Sequence, residues 1–182
     1  MTTATSPAIA TGTWTVDPVH SSVGFRVKHF GLTWLRGGFD SFDLVAKVDE
    51  DGAMQLEGST DVETINFTNP QLKGHLLSPD FFDAQLHPKL TFTTTSVDLK
   101  EDGTAVVEAE LTLKGTTKPV TLTGTWAPAI EGMAGDLRFG LELGGEIDRF
   151  DYDISWAAQL ASGADVVARK VRLEGEFELV KA

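Results

Sequence analysis

Apolar and polar residues alternate one for one along most of this 182-residue chain. Phe25 and Val27, for example, alternate with Gly24, Arg26 and Lys28. The same pattern recurs at 42–48, 54–62, 90–99, 105–114, 120–126, 137–143 and 171–179. A period of two predicts antiparallel strands with one buried face and one solvent-facing face. With residues 13–17 added, the chain is predicted to form about eight or nine strands.

Turn residues separate these strands at short intervals. Asp51-Gly52 and Asp102-Gly103 are typical of tight hairpins, because both residue types tolerate positive φ. Residues 115–119 predict a slightly longer hairpin, with Pro119 at the strand entrance. Short strands joined by tight turns predict an all-β fold, a meander that closes as a barrel or a sandwich.

Residues 69–88 break the alternation. Asn69-Pro70 and Ser78-Pro79 each place a helix-capping residue before a proline suited to the first helical position. They predict two short helices, at 70–77 and 79–84, whose apolar residues cover one end of the sheet. The small residues at 160–168 fit either a loop or a helical turn.

The length favours one domain, predicted at 13–182 after a flexible leader at 1–12. No apolar run approaches the roughly 18 residues of a spanning helix, so no integral membrane segment is expected. The first residues lack the features of an export signal, and cysteine is absent, so a cytoplasmic protein is expected. The four tryptophans are interpreted as core residues: Trp14, Trp34, Trp126 and Trp156.

The net charge is -12, from 15 basic and 27 acidic residues. Such a chain, with no basic cluster expected to offset its charge locally, is expected to repel nucleic acid and anionic membrane surfaces.

No catalytic motif with a defined spacing occurs in the sequence, and no cofactor is implied. His20 and His29 could meet across a turn, but the sequence offers no third metal ligand. His75 lies on the first predicted helix, and two roles are open for it: bonding to a neighbouring loop, or contact with a ligand head group.

Five segments carry a resemblance to the YceI-like family. They are Trp14-x-x-Asp17-x-x-His20-Ser21-x-Val23-x-Phe25-x-Val27-x-His29, Gly38-Phe39-x-x-Phe42, His75-Leu76-x-Ser78-Pro79-Asp80-Phe81-Phe82-Asp83-Ala84, Leu111-Thr112-Leu113-Lys114-Gly115-x-Thr117-Lys118-Pro119-Val120 and Asp148-Arg149-x-Asp151. The order and spacing agree from Trp14 to the end of the chain. Leu72-Lys73 stands where the family usually has Arg-Asp, and Asp148 where it usually has Asn.

The resemblance implies an extended, antiparallel, eight-stranded lipocalin-like β-barrel with one or two short helices covering one end. It also implies a non-catalytic carrier that holds a long-chain apolar small molecule, such as a polyisoprenoid, a prenyl quinone or a fatty chain, in the bore. The residues predicted to contact the ligand are Phe25, Val27, His29, Met54, Leu56, His75, Leu76, Phe81, Phe82, Phe92, Leu111, Leu113, Leu122, Phe139 and Leu141.

Two alternatives stay open at this point. One is an interaction or stress-related scaffold whose barrel is filled with side chains. The other is a small hydrolase that uses His75, or another enzyme built on His20 or His29 with a nearby carboxylate. An exposed strand edge could also support a homodimer.

Overall fold

The computed structural model describes residues 9–182. Its strands are β1 (Gly12–Val16), β2 (Ser22–His29), β3 (Thr33–Gly38), β4 (Phe42–Val48), β5 (Met54–Asp61), β6 (Lys89–Leu99), β7 (Thr104–Leu113), β8 (Thr116–Glu131), β9 (Leu137–Asp148) and β10 (Val167–Lys181). The helix α1 is Pro70–Leu77, and 3-10 turns lie at Val62–Thr64 and Arg149–Tyr152. No helix in this part of the chain has the length and hydrophobicity of a membrane span.

Eight strands form a closed antiparallel barrel. They follow the order β1-β4-β5-β6-β7-β8-β9-β10, and β10 returns to β1 through the pairs Trp14 with Lys181 and Val16 with Leu179. The predicted barrel is therefore confirmed, and the sandwich alternative is wrong. Because the ring is closed, each of its strands has a hydrogen-bonded neighbour on both sides.

The hairpin of β2 and β3 extends the barrel wall beyond the short pairing of β1 with β10. β2 pairs with the first part of β10, and β3 pairs with β2. The hairpin turn places Phe30 and Gly31 at φ values of 54° and 70°, and the Leu32 amide donates to the His29 carbonyl at 3.0 Å. Positive φ at both central residues matches the right-handed twist of a tight hairpin. The sequence pattern missed β3.

Only one of the two predicted helices forms. The Asn69 side chain accepts a hydrogen bond from the Leu72 amide at 3.1 Å and so caps α1. The helix predicted at 79–84 is wrong: the segment consists of turns. The amides of Phe82 and Ala84 donate back to the last turn of α1, and Asp83 has a φ of 49°. The chain folds back onto α1 here and forms turns where a second helix was predicted.

Two ends of the barrel can be distinguished. The turns 49–53, 100–104 and 132–136 meet at the end where Trp14 lies, whereas α1 and the turns after β2, β7 and β9 meet at the other. We call these the Trp14 end and the helix end. Ile9, which the sequence prediction placed in the leader, is buried with the core. Residues 160–164 form a tight reversal in which the Leu160 amide donates to the Ala164 carbonyl, and Val167 and Ala168 begin β10.

Candidate functional site

The barrel interior divides into a filled half and a hollow half. Near the Trp14 end, the ring of Trp14 is fully buried and meets Phe139 edge to face, with ring centroids 5.1 Å apart. Leu141, Leu179 and Met54 are also buried in the hydrophobic core. Large side chains therefore fill this half, and its contribution is to stability.

A cavity of about 210 Å³ occupies the half nearer the helix end. Its walls are formed by residues of β2 to β10, and residues of α1 and of the following turns cover it. An apolar cavity of about 150 Å³ already suffices to hold benzene and stays free of water. The space is thus large enough for part of a hydrocarbon chain without any movement of the walls.

Ten of the residues predicted to contact a ligand lie together on the cavity wall. They are Phe25, Val27, Leu56, Leu76, Phe81, Phe82, Phe92, Leu111, Leu113 and Leu122. Phe25 of β2 meets Phe82 of the turns after α1 edge to face, with ring centroids 6.3 Å apart. Both rings are only half-buried, which leaves part of their surface for an occupant.

Five predicted residues lie away from this wall. Met54, Phe139 and Leu141 face inward but belong to the filled half. The ring of His29 stacks on Phe30 at the β2–β3 turn, with centroids 3.9 Å apart. His75 lies on α1 outside the cavity, and is described below.

The sequence reasoning placed no residue of β10 in the predicted site, and of β9 only Phe139 and Leu141. Leu143 and Ile147 of β9 line the cavity, together with Val171, Leu173 and Phe177 of β10. The alternation of β10 was visible in the sequence and would have identified these positions as inward-facing. Nothing in the pattern distinguishes the inward residues of the hollow half from those of the filled half.

Arg149 is the buried charged residue of this region, only 4% exposed. Its guanidinium donates to the backbone carbonyls of Ile154 (2.6 Å), Ala168 (3.0 Å) and Val167 (3.2 Å). Burial lowers the pKa of Arg149 because it disfavours the charged form. The side chain joins the turn after β9 to the start of β10 and so shapes the wall at the helix end. The Asp148-Arg149-x-Asp151 motif was its sequence signal.

His75 forms a pair with a carboxylate. Its Nε2 lies 3.1 Å from Asp80 Oδ2, and its ring packs edge-on against Phe81 and Trp156. Ser78 Oγ donates to the His75 backbone carbonyl at 2.7 Å. Since this hydroxyl is directed to the backbone, the His75–Asp80 pair is not joined to it as a serine nucleophile would require. The contacts instead fix α1 over the cavity.

His20 and His29 lie at opposite ends of β2, so the expectation that they could meet is wrong. His20 instead joins Asp17 and Glu178, three potential metal ligands within 4.8 Å of one another. Arg138 already donates to Asp17 at 2.8 Å and to Glu178 at 2.5 Å. The guanidinium therefore supplies the positive charge of this cluster.

The cluster of Asp17, His20, Arg138 and Glu178 gives the protein a pH-dependent contribution to stability. The hydrogen bond to Asp17 raises the pKa of His20 above its ordinary value of 6.5. Because protonated His20 is favoured in the folded state, this contribution is complete below pH 6.5 and disappears as the pH rises through the raised value. We expect His20→Gln to cost more unfolding free energy at pH 6 than at pH 8 in urea titrations. An equal cost at both values would contradict this assignment.

The closed antiparallel ring with an apolar space inside defines the class of protein, a lipocalin-like β-barrel. A family model described as YceI-like domain matches residues 14–179. The chain belongs to the YceI-like family, so the resemblance drawn from the sequence motifs is confirmed.

Relatives of known sequence agree with this assignment. Protein YceI of Escherichia coli O157:H7 is 35% identical over 138 residues, which span 74% of this chain and 71% of the relative. The UPF0312 protein plu2095 of Photorhabdus laumondii is 30% identical over 161 residues, 87% of this chain and 82% of the relative.

Solved structures share the fold. BcnA of Burkholderia cenocepacia has a TM-score of 0.74 at 22% identity, with 92% of this chain and 99% of BcnA covered. A polyisoprenoid binding domain from Saccharophagus degradans has a TM-score of 0.67 at 15% identity, with coverage of 93% and 98%. At these identities the similarity establishes the architecture.

Proposed function

We propose that this protein binds a long apolar molecule, a polyisoprenoid, a prenyl quinone or a fatty chain, and carries it without chemical change. The observation that supports the proposal most is the apolar cavity in the helix half of the barrel, walled by Phe25, Leu56, Phe92, Leu111 and Leu173. The Saccharophagus degradans domain of the same fold is a polyisoprenoid binding domain, which agrees with this ligand class.

The energetics favour a hydrocarbon occupant. Burying about 400 Å² of ligand surface contributes roughly 10 kcal/mol. Immobilising a flexible chain opposes this by several kcal/mol, which leaves roughly micromolar affinity. Because the hollow half holds about 210 Å³, a short prenyl tail fits first, and a longer chain requires Phe25 and Phe82 to move or its far end to stay outside.

The polar head of such a ligand is proposed to remain at the helix end. The deep wall is built from leucine, valine and phenylalanine, and the guanidinium of Arg149 is already engaged with three backbone carbonyls. A head group drawn deep into the barrel would lose its bonds to water and gain few in return.

We expect gently purified protein to release an isoprenoid or acyl lipid that mass spectrometry detects. We also expect a quinone with a two-unit prenyl tail to quench tryptophan fluorescence with saturation near micromolar concentration. Trp156 is the natural reporter, since its ring lies 5.5 Å from that of Phe81 on the cavity wall. Trp156→Phe should reduce the signal and leave the affinity measured by calorimetry unchanged.

The absence of both a copurified lipid and any saturable quinone binding would contradict the proposal and favour a scaffold role. Turnover of an ester or quinone that disappears in a folded His75→Ala variant would favour an enzyme instead. The cytoplasmic location, the carrier role and the homodimer stay predictions.

A further inference from the structure

Four cations gather on the outer face of the β2–β3 hairpin and the adjoining part of β10. Arg172, Arg26 and Arg36 occupy directly opposite positions on β10, β2 and β3, and Lys28 lies opposite Trp34. We call these five residues the Trp34 cluster. The sequence expectation that no basic cluster forms is therefore wrong, because the sheet joins basic residues that are far apart along the chain.

The half-buried Trp34 side chain lies at the centre of this cluster. Lys28 Nζ is 4.7 Å from the indole centroid, and the guanidinium carbons of Arg172 and Arg26 are 4.8 Å and 5.0 Å away. The prediction that Trp34 is a core residue is thus wrong. Tryptophan and basic residues are both enriched where proteins meet lipid head groups.

The arrangement is costly for folding alone. Like charges directly opposite on neighbouring strands destabilise a sheet, and three arginines share one such row. Glu174 offsets part of the charge, 2.7 Å from Arg26 and 3.5 Å from Arg36. Glu146 on β9 lies directly opposite Arg172, so the excess positive charge is confined to the hairpin, at Arg36 and Lys28.

We propose that the Trp34 cluster docks the protein on an anionic membrane surface, an inference that rests on the proposed function. The same hairpin forms the cavity wall, since Phe25, Val27 and Leu35 alternate with the cluster residues and face inward. Docking would bring that wall next to the bilayer in which an apolar ligand resides.

An exposed leucine at the hairpin tip supports a membrane over an acidic protein partner. Leu32 is 76% exposed, and its carbonyl accepts a hydrogen bond from Lys28 Nζ at 3.3 Å. The tip thus places an apolar side chain beside a cation, a combination that inserts into the head-group region while the charge stays at its surface.

The net charge of -12 does not oppose docking at physiological ionic strength. The Debye length is about 8 Å there, so acidic groups on the far side of the barrel are screened from the bilayer. Glu142 and Glu146 lie on β9, on the other side of β10, so the hairpin meets the surface with β3 and its tip foremost.

Cosedimentation with vesicles tests this surface. We expect binding to vesicles of phosphatidylcholine and phosphatidylglycerol in equal parts, and none to phosphatidylcholine alone. The double variant Lys28→Gln with Arg36→Gln should weaken binding at least tenfold, because each cation near an anionic surface contributes about fivefold. Lys47→Gln with Lys118→Gln makes the same change in net charge elsewhere and should have less than a twofold effect.

A second pair separates insertion from charge attraction. Leu32→Ser should weaken binding to the anionic vesicles, and Leu86→Ser, a change at another exposed leucine, should not. Vesicle binding that is equal for both double variants, or absent, overturns the proposal. Binding of the cluster to a polyglutamate peptide in place of vesicles overturns it in favour of an acidic protein partner.

Calorimetry with the short prenyl quinone distinguishes this proposal from the proposed function. The docking variants should keep wild-type quinone affinity. If the protein binds the quinone but does not bind anionic vesicles, the docking proposal is refuted and the proposed function is not. A protein that binds the vesicles through the cluster and takes up no quinone supports docking and refutes the proposed function.

Discussion

Phe139→Ala is expected to lower the free energy of unfolding by about 3–5 kcal/mol, the range for a fully packed phenylalanine. Phe139 is 2% exposed and its ring meets that of Trp14. Removing the ring leaves a void, because the buried side chains around it cannot move to fill the space. Urea titration followed by circular dichroism would measure the change.

Phe92→Ala is the matched control, because it deletes the same atoms from the hollow half. The Phe92 ring borders open space and is only half-buried. Fewer of its contacts are lost, and we expect a cost of about 1–2 kcal/mol. Equal losses for the two variants would contradict the division of the barrel into filled and hollow halves.

Leu173→Trp is expected to weaken binding of the prenyl quinone at least tenfold with little change in stability. Leu173 faces the cavity from β10, opposite Phe25 on β2 and Gly145 on β9. The larger ring would occupy part of the open space. Excluding two methylene groups of a ligand removes about 1.6 kcal/mol, and tenfold in affinity corresponds to about 1.4 kcal/mol.

The control for this variant is Glu176→Trp on the exposed face of the same strand. It adds an indole without altering the interior and should leave the calorimetric affinity within twofold of wild type. Unchanged affinity in Leu173→Trp, with the variant folded, would place the ligand elsewhere.

The strands were largely predictable because their inward and outward residues differ in polarity at every step. β3 is the exception: Trp34 and Leu35 are adjacent apolar residues, and one faces out while the other faces in. Phe30 is also an unusual residue for a turn that needs positive φ. The outward orientation of Trp34 is explained by its tertiary contacts with the cations, and these contacts leave no local pattern in the sequence.

For the candidate site, the sequence predicted which residues face the barrel interior, but not which of them line the cavity. Phe92 and Phe139 are equivalent in the alternation, yet one lines a cavity and the other is packed. That difference arises from the insertion of Trp14, which is distant in sequence from both. The Trp34 cluster was out of reach for the same reason, because Arg172 lies more than a hundred positions after Arg36.

The separation of the two interior halves also bears on how such a protein can diversify. Side chains around the Trp14 end supply much of the packing, so substitutions among the cavity residues start from a scaffold that already folds. New cargo preferences could then arise by changing a few wall positions near α1. Selection for a different apolar ligand would meet little resistance from the requirement to remain folded.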